Sequence, residues 1–145
     1  MFKHRGTAVI TGVSSVRSQA FARRMAAQGY DLILIAPDLE RLQTLARRIT
    51  DASGQSVEVI AGNLNVVQER QRIAQALSED ASITLLVNYA IPRPCSSCLY
   101  GALKPGFMTR RRGAVVEVTG KTACPSEDAA WTEHLLRMQG TGSRH

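Results

Sequence analysis

The chain has 145 residues, 44% of them hydrophobic and 21% charged, with a formal net charge of +6. That length and balance fit one soluble globular domain with a core of its own, read over residues 1–145. No run of about 18 apolar residues occurs, so no membrane span is expected. The basic residues are dispersed over 17–24, 41–48, 70–72 and 110–112, and only the last is a contiguous block. With aromatic residues at 5% and no string for base stacking, this pattern describes solvated helix faces and argues against nucleic-acid binding. Residues 1–6 (MFKHRG) show no apolar signal segment, and a cytoplasmic location is the expectation.

Thr7–Thr11 is a short apolar run rich in β-branched residues and reads as a buried strand. Gly12 breaks it, and Ser14 and Ser15 are turn residues and candidate helix N-caps. From Val16 the spacing becomes helical, with Val16 and Ala20, then Phe21 and Met25, four apart on a face predicted to be buried. Gly29 stands where a helix-closing glycine belongs. Asp31–Ala36 (DLILIA) is a second strand, and Asp38 then caps a helix that places Leu39, Leu42, Leu45, Ala46 and Ile49 on its apolar face.

Residues 56–61 alternate as a third strand, and 66–77 form an amphipathic helix expected to bury Val66, Val67, Ile73, Ala74 and Leu77. Residues 82–88 are apolar throughout, as a strand covered on both faces should be. Residues 92–112 read as a loop followed by a helical stub over 98–108, broken at Pro105-Gly106. Residues 113–119 (GAVVEVT) are a fifth strand. Alternating strands and helices predict an α/β, Rossmann-like doubly wound parallel sheet of about five strands in the order 3-2-1-4-5. Val9, Leu34, Val59, Leu86 and Val116 are expected at its centre.

The three cysteines are odd in number, which argues against a disulfide framework. Cys95 and Cys98 have CxxC spacing, but a redox pair would want to open a helix after a strand, and the segment around Arg93-Pro94 reads as a loop. A zinc site would have to draw on Cys124 and His134, at no matching spacing, so no metal is expected and free thiols are the reading.

The stretch TGVSSVRSQAFARRMAAQGYDLILIAPDLERLQTLA resembles the opening of the short-chain dehydrogenase/reductase family, TGASSGIGxAxAxxLAxxGxxLxLxARxxxxLxxLA, without a gap. The well-matched part spans residues 7–91, whereas 92–145 is shortened and divergent. The resemblance implies an NAD(P)-dependent oxidoreductase whose cofactor would touch Gly12, Ser14, Ser15, Asn63, Leu64, Asn88 and Ala90.

The departures fall where the family's chemistry lies. Val16 and Ser18 replace the second and third glycines of TGxxxGxG, which admit the pyrophosphate and let helix and strand pack closely. Val16 adds a β-branched side chain that resists positive φ. Ala36 and Pro37 stand at the places that choose between NAD and NADP, and Asn63-Leu64 replaces Asp-Leu on the adenine side. Asn88-Tyr89-Ala90-Ile91 replaces Asn-Asn-Ala-Gly, so that Ile91 narrows the cofactor channel.

At the expected catalytic serine stands Gly120, one place after Thr119; Trp131 falls at the tyrosine and Leu135 at its lysine. Tyr100 and Lys104 have YxxxK spacing but precede the fifth strand, on the wrong helix. No catalytic residue is therefore assigned. The expectation is a family-like protein that is catalytically inactive, with weak or lost cofactor binding. Two further readings stay open: an interaction module pairing with itself or with a full-length relative, and an active reductase using non-standard residues. A decayed gene product fits the same departures. The 115–118 region is expected to leave an unpaired sheet edge that favours self-association.

Overall fold

The computed structural model describes residues 5–13, 15–89 and 93–118. Strands and helices alternate through them: β1 (Thr7–Thr11), α1 (Val16–Ala27), β2 (Asp31–Ala36), α2 (Leu39–Ser53), β3 (Val57–Ala61), α3 (Val67–Ser78), β4 (Ile83–Tyr89), α4 (Arg93–Arg110) and β5 (Ala114–Val118). All strand pairings are parallel, and the order is β3-β2-β1-β4-β5. This is the Rossmann-like sheet expected from the sequence.

Period-2 alternation on β-branched strands splits the core between the two faces of the sheet. Ala8, Ile10, Leu32, Leu34, Leu85, Val87 and Val116 face Phe21, Met25, Leu42, Leu45 and Ile49 of α1 and α2. Val9, Ile33, Ile35, Leu86 and Val115 face Ile73 and Leu77 of α3 and Leu99, Leu103 and Phe107 of α4. Val59 is only partly buried, because β3 lies at the sheet edge rather than near its centre.

Local chemistry fixes the helix ends. Gly29 has φ 103° and closes α1 in a Schellman motif, with Tyr30 N–H on Met25 O at 3.2 Å and Gly29 N–H on Ala26 O at 3.0 Å. The Asp38 carboxylate accepts from Arg41 N–H at 3.2 Å, so α2 begins where its cap was expected.

Several expected core residues are instead at the surface. Val16, Ala20, Leu39, Val66 and Val67 are exposed, Val16 at 81%. Val16, Leu39 and Val67 are each the first residue of a helix, and the buried residues of those helices begin further in, at Ser18, Leu42 and Ile73. The stripe that α1 buries is Ser18, Phe21, Ala22, Met25 and Ala26, one register away from Val16 and Ala20.

The largest correction concerns 92–112. In place of a loop and a broken stub, α4 runs continuously for 18 residues with Pro105 inside it. Proline removes one backbone hydrogen bond and crowds the carbonyl four residues back. Leu99, Leu103 and Phe107, four apart and all buried against the sheet, offset that cost. In β5, Ala114, Val115, Val116 and Val118 are buried and Glu117 is exposed. No described helix is long and apolar enough to cross a membrane.

Candidate functional site

In a doubly wound sheet, ligands bind outside the carboxyl ends of the strands, where the strand order reverses. Here that point lies between β1 and β4, and it brings together Gly12, Ser15 and Asn88 of the sequence-predicted set. Asn63 and Leu64 lie in the loop after β3, further along the same edge. Ser14, Ala90 and Ile91 fall outside the described residues, as do Thr119, Gly120, Cys124, Trp131, His134 and Leu135.

Gly12 has φ 71°, the left-handed turn by which β1 swings into α1. The helix N-terminus beyond it is the natural seat for a phosphate, through its unpaired N–H groups and dipole. Two of those N–H groups are already used. Ser15 and Ser18 form a capping box: Ser18 N–H donates to Ser15 Oγ at 3.1 Å, and Ser15 N–H donates to Ser18 Oγ at 3.0 Å. Ser18 Oγ also donates to Ser15 O at 2.9 Å. A fully buried serine therefore fits where close helix–strand packing favours glycine.

Val16 is the first residue of α1 and its side chain stands in solvent at the phosphate seat. The expected resistance to positive φ does not arise, since Arg111 is the only described non-glycine residue with positive φ. What Val16 adds at this position is an exposed isopropyl group.

Asn88 is almost fully buried and tied across three strands. Thr11 Oγ1 donates to Asn88 Oδ1 at 3.1 Å, with Val87 O at 3.3 Å from the same hydroxyl. Asn88 Nδ2 donates to Glu117 Oε2 at 2.9 Å. Thr11, Asn88 and Glu117 are register partners, so the three side chains form a polar row over the sheet end. Sequence reasoning missed Glu117, whose place beside Asn88 comes from strand pairing. Tyr89, in place of the family's second asparagine, is buried edge-on against Phe21, with ring centroids 6.0 Å apart.

The adenine-side residues are also engaged. Asn63 is exposed, and its Oδ1 accepts from Asn65 N–H at 2.9 Å. The Leu64 carbonyl accepts from Arg70 Nη1 at 3.0 Å and from the Cys95 thiol at 3.1 Å. Asp38, the remaining acidic side chain near the end of β2, is committed to its cap and to an exposed pairing with Arg41 at 3.8 Å. Lys104 Nζ lies 5.8 Å from the Tyr100 ring centroid on the half-buried face of α4. That is a cation–π contact on the helix surface. No cluster of three metal-ligating side chains occurs among the described residues.

Fold and crevice together are those of a Rossmann-like doubly wound sheet. No protein-family profile matches the chain. It is 23% identical over 161 residues to the human protein named inactive hydroxysteroid dehydrogenase-like protein 1, covering 90% of this chain and 49% of that one. A very-long-chain 3-oxoacyl-CoA reductase from Vanderwaltozyma polyspora is 34% identical over 100 residues, covering 63% of this chain and 28% of the reductase. A short-chain dehydrogenase from Sphingobium yanoikuyae, solved in complex with NADPH, superposes with a TM-score of 0.72. It is 26% identical, over 95% of this chain and 60% of that one. Sequence and fold relate this chain to the short-chain dehydrogenases/reductases. It spans about half the length of the human relative.

Proposed function

We propose that the chain is a short-chain dehydrogenase/reductase-like protein, oxidoreductase by relationship, that does not catalyse hydride transfer and holds NAD(P) weakly or not at all. The observation that carries this reading is the start of α1. The family grips the pyrophosphate through glycines and open N–H groups. Here Val16 projects from that seat, and the Ser15–Ser18 box occupies two of the donors. The side chain of Asn88 is likewise held between Thr11 and Glu117. The matched sequence positions of the family's acid and its tuner carry Trp131 and Leu135, and neither an indole nor an isobutyl group can exchange a proton near neutral pH. The word "inactive" in the name of the human relative agrees with this reading.

The test is NADH and NADPH oxidation against a panel of ketones and aldehydes, with Tyr100→Phe beside the native chain. No turnover above the protein-free rate is expected from either. Robust turnover by the native chain would overturn the reading, and its loss in the variant would identify Tyr100 as the acid. A cytoplasmic location belongs to the same proposal.

A second reading has its own support. Among the described residues β5 is an edge strand, and such an edge can pair with a second copy or a full-length relative.

A further inference from the structure

Cys95 and Cys98 lie in the first two turns of α4, directly after β4, with Cys95 buried and Cys98 half-buried. This is the setting that reading the segment around Arg93-Pro94 as a loop denied them. The Cys95 thiol donates to the Leu64 carbonyl at 3.1 Å and lies 3.8 Å from Asn65 Oδ1. Arg70, from the first turn of α3, directs Nη1 to the Cys95 sulfur at 3.7 Å and to the same Leu64 carbonyl at 3.0 Å. Its Nε is buried with no hydrogen-bond partner among the described residues. The pair is therefore wired to the loop between β3 and α3, residues 62–66, and not to the crevice between β1 and β4.

We propose that Cys95 and Cys98 form a reversible thiol–disulfide pair whose oxidation loosens the 62–66 loop. The inference is independent of whether the chain binds NAD(P). Residues three apart on a helix have Cβ atoms about 5–6 Å apart, and a disulfide needs about 3.5–4.5 Å. The pair must draw together, and the first turn of α4 is the place where a helix can give. The first four N–H groups of a helix have no intrahelical partner to lose, and Pro94 has no N–H at all.

Burial assigns the order of attack. The Cys98 thiolate, in contact with solvent, attacks a small-molecule disulfide of the glutathione type, forming a mixed disulfide and releasing one thiol. The Cys95 sulfur then attacks Cys98 Sγ, forming the intramolecular S–S bond and releasing the second thiol. The two cysteines lose two electrons and two protons, and the oxidant gains them as two thiols. The Arg70 guanidinium faces the Cys95 sulfur while it carries negative charge. Once bonded to Cys98, Cys95 has no hydrogen left to donate to Leu64 O, and the loop loses one of its two ties at that carbonyl.

The experiment uses the full chain carrying Cys124→Ser, incubated with glutathione disulfide. Intact mass and peptide mapping follow the thiols, and hydrogen exchange compares the reduced and oxidised forms. The expected product has lost two hydrogens and keeps no glutathione, with the bond inside the peptide that holds residues 95 and 98. Exchange should become several-fold faster over 62–66 and the first turn of α4, and a reductant should reverse both changes. Adding Cys98→Ser, at the less buried position, should leave Cys95 unmodified and the fold intact by circular dichroism. A stable glutathione adduct on Cys98 would overturn the proposal, as would a Cys95–Cys98 bond that leaves exchange over 62–66 unchanged.

Discussion

The isopropyl group of Val16, 81% exposed at the start of α1, stands where a phosphate would approach the helix N-terminus. Replacing it by glycine removes the obstacle while leaving the Ser15–Ser18 box in place. Val16→Gly is therefore expected to tighten NADPH binding several-fold in a fluorescence titration. It should also cost less than about 1 kcal/mol of stability by denaturant unfolding, since glycine disfavours helix but valine is itself a poor helix former. No gain in affinity would move the defect from Val16 to the capping box or to Asn88. Asn88→Ala should cost about 0.5–1.5 kcal/mol for each hydrogen bond lost to Thr11 and Glu117, since the Thr11 hydroxyl keeps Val87 O and Glu117 is exposed to water. Val16, Ser18 and Asn88 were legible in the sequence because they break or keep a spaced motif. The box was not, since its usual sign is Glu or Gln three residues after the cap, and here a second serine does that work. Glu117 stayed hidden because strand pairing, not sequence proximity, brings it beside Asn88.

Among the elements, α4 shows how packing overrides a local breaker. Pro105 marked the end of a stub in the sequence, yet three buried side chains at fourfold spacing carry the helix past it. Two substitutions separate these effects. Leu103→Ala should destabilise by about 2–5 kcal/mol, as expected for a large buried side chain whose site cannot collapse. Pro105→Ala should stabilise by up to about 3 kcal/mol, the approximate cost of proline in a helix interior. Urea unfolding of both variants measures the balance, and a destabilised Pro105→Ala would show that the ring itself is needed for packing. The strands and the first three helices were legible from periodicity and caps. The burial of the opening residues was not, because a valine or leucine at the first helical position matches the apolar pattern, yet Val16, Leu39 and Val67 are all exposed.

For the whole molecule, the order β3-β2-β1-β4-β5 was legible because alternating elements and right-handed crossovers leave few other arrangements. What the fold can bind was less so, because the same βαβ scaffold forms with Val16 and Ser18 at positions where the family has glycine. The edge position of β5 among the described residues leads to the prediction of self-association that increases with concentration in multi-angle light scattering. A monomer at every concentration would remove the support for the pairing reading. The central claim, a dinucleotide-binding scaffold that has lost its grip, is tested most directly by titrating the native chain with NADPH and following cofactor fluorescence. The account predicts no saturation even with cofactor in large excess over protein. Saturable one-to-one binding at low micromolar cofactor would contradict it.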